Sequence, residues 1–176
     1  MSSKSQIWIA RDLPNCSGCR MCEVACSLYH EGKIWPEASM IRVFELVPGV
    51  EFPHFCTQCD DHPCIDSCPV DALSIDEDTG AVIVDKDKCI GCGNCIEACP
   101  GHIPHMHPNS NHIVICDLCG GVPQCVKICQ EAGFNILRIV KRSDVEKQTK
   151  LYARPPEEIS NQLVKRLYGK FGEVLK

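Results

Sequence analysis

All sixteen cysteines of this 176-residue chain fall into four groups of four, and no cysteine lies outside these quartets. Within each quartet three cysteines lie close together, and the fourth follows the third after three intervening residues. The quartets are Cys16, Cys19, Cys22 and Cys26; Cys56, Cys59, Cys64 and Cys68; Cys89, Cys92, Cys95 and Cys99; and Cys116, Cys119, Cys125 and Cys129. Sulfurs grouped in this way converge readily on one point, so the pattern predicts metal centres.

The spacing within the quartets is that of cysteines that hold a cubane 4Fe-4S cluster. In bacterial ferredoxins the run is C-x2-C-x2-C-x3-C-P. The first and third quartets keep this spacing, whereas the second lengthens the gap between Cys59 and Cys64 and the fourth that between Cys119 and Cys125. The chain is therefore predicted to bind four 4Fe-4S clusters, with iron held by these sixteen cysteines.

Two other uses of cysteine compete with this interpretation. A disulfide scaffold is typical of short secreted chains, but the N-terminus has the short apolar run IWIA in place of the roughly 7 to 15 residues of a secretory signal. Structural zinc sites also take four thiolates, usually two from each of two separate segments. A third and fourth cysteine in one quartet would then be surplus, so both alternatives are disfavoured.

Charge and hydropathy limit the compartment and the partners. No stretch approaches the roughly 20 apolar residues of a membrane span, and clusters on a chain without disulfides imply a reducing cytoplasm. Residues 1–140 hold 9 basic against 18 acidic side chains, and residues 141–176 hold 9 against 5. The basic tail is too short and mixed to predict nucleic-acid binding. The acidic excess around the cysteines predicts low reduction potentials.

The spacer between the middle two quartets predicts a β-hairpin. Its segments ALSID and AVIVD alternate apolar residues at the period of a strand, with an Asp-Thr-Gly turn between them. A quartet, a short helix, a hairpin and a second quartet with its helix form the layout of a two-cluster bacterial ferredoxin. Residues 51–104 are therefore predicted to form an inner ferredoxin-like module.

The first and fourth quartets flank this module and predict a second, split copy of it. IWIARD precedes the first quartet and FNILRIV follows the last, and these segments can pair as strands. The predicted outer module comprises residues 5–50 and 105–140, and residues 141–176 form a C-terminal arm and amphipathic helix. The predicted fold class is α+β, with loop-rich tandem ferredoxin-like modules organised around four clusters.

The ferredoxin layout also implies which cysteines share a cluster. In two-cluster ferredoxins the fourth cysteine of each run ligates the other cluster. This rule joins the first three cysteines of one run to the fourth cysteine of the other run in the same module. The implied ligand sets are Cys16, Cys19, Cys22 and Cys129 (cluster 1); Cys26, Cys116, Cys119 and Cys125 (cluster 2); Cys56, Cys59, Cys64 and Cys99 (cluster 3); and Cys68, Cys89, Cys92 and Cys95 (cluster 4).

The outer quartets depart from the ferredoxin run at the residue after the fourth cysteine. Pro69 and Pro100 fill this position in the inner quartets, whereas Ser27 and Gln130 fill it in the outer ones. Because the outer clusters differ from the ferredoxin pattern, we expect them to be the contact points with partners.

The histidines are not needed as ligands, because the cysteines already make four complete sets. We expect His102, His105 and His107 to lie in a polar, proline-rich surface loop between the third and fourth quartets. His54 and His62 flank the second quartet, where either could form a hydrogen bond with a cluster sulfur.

An apolar stripe follows Pro156. Ile159, Leu163, Leu167 and Phe171 recur every four positions, as on one face of a helix. Two alternatives remain open for this helix: it packs on the core of its own chain, or it docks into a partner subunit.

No motif of substrate binding or catalysis accompanies the cysteines. The chain has no G-x-G-x-x-G after a strand, no Walker loop and no nucleophile with an evident base. With every cysteine assigned to iron, no thiol remains for covalent catalysis. Four clusters without a substrate site predict a protein that is non-catalytic by itself and relays electrons for a partner.

Four segments resemble the four-cluster, polyferredoxin-type small subunits of large oxidoreductases, over about residues 5–140. They are NCSGCRMCEVACS, FCTQCDDHPCIDSCPVDAL, KCIGCGNCIEACP and CDLCGGVPQCVKIC. The segment HEGKIWPEASMIRVF is most similar to subunits that partner tungsten enzymes of the aldehyde oxidoreductase family, in particular the ATP-independent (class II) benzoyl-CoA reductase of strict anaerobes. The resemblance implies electron transfer to or from a large catalytic subunit with a tungsten or molybdenum pterin cofactor. It also implies an aromatic thioester or an aldehyde as the remote substrate, and a role in anaerobic degradation of aromatic compounds.

Other functions fit the same clusters. The partner could be a formate dehydrogenase, a hydrogenase or a dimethyl sulfoxide reductase-like enzyme, with further electron-donating subunits or a ferredoxin in the complex. A free, diffusible polyferredoxin would instead shuttle electrons among several enzymes. Co-purification separates the two classes, because a relay subunit stays with a large metal-containing chain and a carrier does not.

Overall fold

The computed structural model describes residues 6–144 and 152–170. These residues form five α-helices, eight short strands and short 3-10 turns, connected by loops that carry most of the cysteines. The helices are α1 (Met21–Glu31), α2 (Pro63–Asp66), α3 (Asn94–Ala98), α4 (Gln124–Glu131) and α5 (Pro156–Tyr168). The strands are β1 (Ile7–Arg11), β2 (Arg42–Glu45), β3 (Glu51–His54), β4 (Leu73–Ile75), β5 (Val82–Val84), β6 (His105–Met106), β7 (Ile113–Val114) and β8 (Leu137–Lys141).

The described strands pair two by two in small antiparallel sheets. β1 pairs with β8 so that Trp8 lies opposite Val140, which confirms that IWIARD and FNILRIV form a sheet. β4 pairs with β5 in the predicted hairpin, with Leu73 opposite Val84. β2 pairs with β3, and β6 with β7. The first and last quartets are thus held together by strands more than 100 residues apart in sequence.

The helices that follow the quartets differ in length between the inner and outer pairs. α2 and α3 end before Pro69 and Pro100, because the residue before a proline is disfavoured in the helical conformation. Where Ser27 stands in place of proline, α1 continues to Glu31. Ser27 is fully buried, and its Oγ accepts a hydrogen bond from the backbone N–H of Trp35 at 3.1 Å. The missing prolines therefore allow longer outer helices, and α1 packs against α4.

Two apolar clusters stabilise the described part of the chain. The larger surrounds the cysteines and includes Ile9, Ile41, Phe55, Leu118 and Val126. The smaller lies between α5 and the segments that contain β3 and the turn before Cys16. It joins Ile159, Leu163 and Val164 of α5 to Leu13, Val50 and Phe52.

The C-terminal helix therefore packs on its own chain. Ile159 and Leu163 are buried, whereas Leu167 is 43% exposed. Phe171, the last residue of the predicted stripe, lies outside the described residues. In the described parts of the chain, no helix has the length and hydropathy to cross a bilayer.

Candidate metal centres

The structure gathers cysteines of different quartets around small cavities. One cavity is lined by three cysteines of the first quartet and one of the fourth, and another by three of the fourth and one of the first. A third is lined by three cysteines of the third quartet and Cys68 of the second. In the remaining group, burial and then the charges of Cys64, Cys59 and Cys99 raise the pKa of Cys56.

These groups define four sets, which we number as follows. Set I is Cys16, Cys19, Cys22 and Cys129; set II is Cys26, Cys116, Cys119 and Cys125; set III is Cys56, Cys59, Cys64 and Cys99; and set IV is Cys68, Cys89, Cys92 and Cys95. Each joins the first three cysteines of one quartet to the fourth of another. The grouping has the same members as the ligand sets that the ferredoxin rule implies, and ligation itself stays a prediction.

The raised pKa values of the buried thiols disfavour a role as reactive free thiolates. All sixteen cysteines are free of disulfides. Burial raises the pKa of Cys22 and Cys64 to about 12 and that of Cys95 and Cys119 to about 11. A buried thiolate without a cation is therefore unfavourable, and bound metal provides the positive charge that stabilises it.

Backbone N–H groups donate to the first sulfur in three of the four quartets. The residue two positions after the first cysteine has a positive φ in every quartet: Gly18 (66°), Gln58 (50°), Gly91 (67°) and Leu118 (56°). The N–H of Gln58 donates to Cys56 Sγ at 3.4 Å. Those of Gly18 and Leu118 donate to the first sulfur of their own quartets. Such donors stabilise negative charge on a ligating sulfur.

Further donors reach the fourth cysteines. The N–H of Met40 donates to Cys26 Sγ at 3.4 Å, and that of Ala72 donates to Cys68 Sγ at 3.3 Å. The hydroxyl of Thr57 lies 3.2 Å from Cys59 Sγ. The donor set around the sulfurs thus fits an anionic metal–thiolate centre.

One histidine contacts a cysteine sulfur, and the sequence did not indicate it. Nε2 of His30 lies 3.7 Å from Cys119 Sγ and 3.4 Å from Asp117 Oδ1. The sequence feature that could have indicated this contact is the position of His30, four residues after Cys26 and so one turn further along α1. His54, by contrast, hydrogen-bonds the carbonyl oxygen of Gly101 at 3.0 Å.

The prediction of a surface loop between the third and fourth quartets is wrong for His105 and His107, although His102 does lie in an exposed loop. His105 belongs to β6, which pairs with β7. His107 is buried, its ring stacks on that of His112 at 4.8 Å, and its Nε2 lies 3.5 Å from Glu31 of α1. Ile103 and Ile113 join the main core and draw the segment inward. His102 is exposed.

The four sets adjoin in a fixed order. In three pairs, a sulfur of one set lies close enough to a sulfur of another set for its charge to raise that sulfur's pKa. Burial is the larger cause of the raised pKa in each case. The pairs are Cys22 with Cys125 (sets I and II), Cys56 with Cys116 (sets III and II) and Cys95 with Cys64 (sets IV and III). The order is therefore I, II, III, IV.

Exposure follows this order. All four cysteines of set II are buried, whereas Cys19 of set I and Cys92 of set IV are exposed. The expectation that both outer sets face partners is therefore wrong for set II. Ile9 of β1 and Phe55 line the cavity of set II and cover it. One outer and one inner set reach the surface instead.

Comparison with known protein families shows to which family the chain belongs. The model of the 4Fe-4S dicluster domain matches residues 48–138, which contain the last three quartets. The model of a 4Fe-4S binding domain matches residues 13–29, which contain the first. This protein belongs to the 4Fe-4S dicluster domain family. It is thus an iron–sulfur protein of electron transport, and its sixteen cysteines fit four 4Fe-4S clusters.

Proteins similar to this dicluster-domain protein include subunits of oxidoreductases. It is 52% identical over 166 residues to the aliphatic sulfonate oxidoreductase polyferredoxin-like subunit of Pyrococcus furiosus, an alignment that covers 94% of this chain and 95% of the relative. It is 33% identical over 142 residues to the thiosulfate reductase electron transfer subunit PhsB of Salmonella typhi, with 71% of this chain and 72% of the relative covered.

A solved structure is also similar to this dicluster-domain protein. The active-site complex BamBC of benzoyl-coenzyme A reductase with zinc contains a chain that is 25% identical, with 96% of this chain and 94% of that chain covered and a TM-score of 0.46. A TM-score of this size does not decide between kinds of catalytic partner.

Proposed function

We propose that the chain is the electron-transfer subunit of an oxidoreductase complex, in which it serves a large catalytic subunit with a tungsten or molybdenum pterin cofactor. The observation that carries this proposal is the order of the cysteine sets, in which the buried set II and the partly buried set III lie between two sets that each have an exposed cysteine. The relative from Pyrococcus furiosus, similar over nearly its full length, is named as the polyferredoxin-like subunit of an aliphatic sulfonate oxidoreductase, which supports the subunit role.

We propose sets I to IV as the ligands of the four clusters. A 4Fe-4S cluster takes up and releases one electron in ordinary use. The protein buries all four cysteines of set II and two of the four in set III, and it leaves an edge of sets I and IV accessible through Cys19 and Cys92. An electron donor and an acceptor can therefore approach opposite ends of the series.

The division into modules is part of the same proposal. Pairing of β1 with β8 supports an outer module of residues 5–50 and 105–140, and the β4–β5 hairpin supports an inner module of residues 51–104. β2 and β3 pair across this boundary, so the modules are joined by a sheet as well as by the chain.

For the substrate of the catalytic partner, an aliphatic sulfonate is the first candidate. The subunit from Pyrococcus furiosus with 52% identity supports it by its name. An aromatic thioester, as in a benzoyl-CoA reductase, or an aldehyde is the second candidate, and the resemblance of the segment HEGKIWPEASMIRVF supports it. The unpaired thiols favour a reducing cytoplasm as the compartment.

Isolation of the native complex tests the proposal. A C-terminal affinity tag on the chromosomal copy, with anaerobic purification, should recover one large chain together with tungsten or molybdenum. Metal analysis should give about sixteen irons per copy of this chain, because each cluster contains four. Recovery of the chain alone through successive columns would support a free polyferredoxin and contradict the subunit role.

Turnover by the same complex identifies the substrate. Reduction of a viologen dye is measured with an aliphatic sulfonate, an aldehyde or a cyclic dienoyl-CoA as the electron donor. Activity with the sulfonate alone supports the first candidate. Activity with the aldehyde or the thioester, without the sulfonate, supports the second.

A further inference from the structure

Arg11 lies in the interior of the protein, enclosed by aromatic rings. It is the last residue of β1 and is 6% exposed. Its guanidinium carbon lies 3.7 Å from the ring centroid of Phe55, 5.0 Å from that of Tyr152 and 6.0 Å from that of Trp8. These rings favour a cation on their faces. They also exclude water from it.

The positive charge of Arg11 has no carboxylate partner in the described part of the chain. Among the residues that the structure describes, no aspartate or glutamate forms an ion pair with its side chain. Its Nε has no hydrogen-bond acceptor, and one terminal nitrogen donates to the carbonyl oxygen of Cys56 at 3.3 Å. Burial lowers its pKa to about 10, so the side chain remains a cation at neutral pH. A buried cation without compensating negative charge is strongly unfavourable.

Arg11 lies beside cysteines of two different sets. It donates to the carbonyl oxygen of Cys56 of set III, and it lies over the ring of Phe55, which lines the cavity of set II. Negative charge on Cys56, on Tyr152 and on Cys116 and Cys125 of set II opposes the lowering of its pKa by burial. A cluster with four thiolate ligands carries net negative charge, which increases when the cluster is reduced. Arg11 therefore lies beside the two sets that are most enclosed by protein, where water screens its charge least.

We infer that Arg11 is the counter-charge shared by the clusters of sets II and III, and that it raises their reduction potentials above those of sets I and IV. A fixed cation favours the reduced, more negative state of a cluster next to it. This inference rests on the proposed ligand sets. It departs from the uniformly low potentials that the acidic excess of residues 1–140 predicts, because the surface carboxylates are screened by water and the buried guanidinium is not.

Two substitutions and a control test the inference in the complex purified under anaerobic conditions. Arg11→Met removes the charge and keeps an apolar side chain of similar length, whereas Arg11→Lys keeps the charge. Arg142→Met is the control, because Arg142 donates to the carbonyl oxygen of Thr57 at 3.4 Å near set III but is neutralised by Asp60. Midpoint potentials are measured by redox titration with electron paramagnetic resonance. A soluble dysprosium chelate identifies the exposed clusters by broadening their signals.

The expected result is selective. In Arg11→Met two of the four potentials fall, and they belong to the clusters that the chelate broadens least. In Arg11→Lys and Arg142→Met the potentials stay close to those of the unchanged protein. Equal shifts at all four clusters, a shift at one cluster only, or no shift in Arg11→Met would overturn the inference.

Iron content distinguishes an electrostatic role of Arg11 from a requirement for its side chain in folding. Loss of iron from both Arg11 variants but not from Arg142→Met would mean that folding needs the guanidinium itself, which overturns the inference. Loss of iron from Arg11→Met alone supports it, because the lysine variant then shows that charge suffices. Fewer than four clusters in the unchanged protein would overturn the ligand sets, and the inference with them.

Discussion

Gln58 occupies a backbone conformation that favours glycine, and its side chain explains why glycine is absent. Its φ is 50°, a left-handed value that costs a non-glycine residue about 1 to 2 kcal/mol. The side chain is buried and connects two parts of the molecule. Its Nε2 donates to the carbonyl oxygen of Cys116 at 2.8 Å, and its Oε1 accepts from the N–H of Val82 at 2.9 Å.

Substitution of Gln58 should therefore destabilise the protein even though glycine suits the backbone. In Gln58→Gly the relief of backbone strain is smaller than the cost of the two lost hydrogen bonds. Each bond leaves a buried backbone group without a partner, which costs about 1 to 3 kcal/mol. Gln58→Leu keeps the strain as well and should be less stable still. The stabilities of the unchanged protein and the two variants are compared by the rate at which the visible absorbance of the clusters disappears in guanidinium chloride. A glycine variant as stable as the unchanged protein would contradict the role of these hydrogen bonds.

His54 should make the stability of the protein depend on pH in the acid range. Burial lowers its pKa to about 4, whereas an unfolded histidine titrates near 6.5. Between pH 4 and pH 6.5 the histidine is therefore protonated in the unfolded state and neutral in the folded state. Stability should fall by about 1.4 kcal/mol for each unit that the pH drops from 6.5 to 4.

Comparison of denaturation at pH 7 and pH 5 measures this effect. His54→Gln can still donate to the carbonyl oxygen of Gly101 and has no titrating ring, so its stability should change less over this interval. The same substitution at His102, which is exposed, is the control. Equal acid sensitivity in the His54 variant and the unchanged protein would assign the effect to other groups.

The helix that contains the third cysteine of each quartet is short in the inner quartets and longer in the outer ones, and single residues determine this difference. Pro69 and Pro100 limit α2 and α3, whereas Ser27 lets α1 continue for a further turn. That turn carries His30 to Cys119 and Glu31 to His107. A residue after the fourth cysteine thus determines whether the helix can contribute side chains to a neighbouring set.

The C-terminal helix should contribute to stability through one face. Leu163 is 6% exposed and contacts the cluster around Phe52, so Leu163→Ala should cost about 2 to 5 kcal/mol. Leu167 is 43% exposed, and Leu167→Ala should change stability by less than about 0.5 kcal/mol. Guanidinium denaturation of both variants measures the difference. If the exposed position proved the costlier one, the packing of α5 on its own chain would be contradicted.

The sequence predicted the features that depend on neighbouring residues. The quartets and the β4–β5 hairpin follow from local spacing and turn chemistry. The contact of His30 with Cys119 joins residues 89 positions apart, and the packing of α5 on Phe52 joins still more distant ones. The burial of set II depends on Ile9 and Phe55 from two other segments. Short-range patterns do not contain such contacts.

Across the protein, the exchange of fourth cysteines between quartets can be tested at the level of single thiols. If Cys99 ligates the cluster of set III, Cys99→Ser should release Cys56, Cys59 and Cys64 from iron. Alkylation under anaerobic conditions, followed by peptide mass spectrometry, identifies the released cysteines.

Cys68→Ser is the matched variant, and it should release Cys89, Cys92 and Cys95 instead. Labelling of the mutated cysteine's own quartet in both variants would contradict the exchange. Retention of about twelve irons in each variant, corresponding to three clusters, would show that damage is confined to one set.

The pairing of β1 with β8 bears on how the protein is made. Synthesis from the N-terminus completes sets III and IV once residue 99 has been added, whereas sets I and II need cysteines as late as residues 129 and 125. The first quartet therefore waits for more than 100 residues before its last partner exists. During that interval the inner half can already hold iron. The outer half depends on later segments, so a ribosome that stalls between residues 100 and 124 leaves sets I and II without their full complement of cysteines.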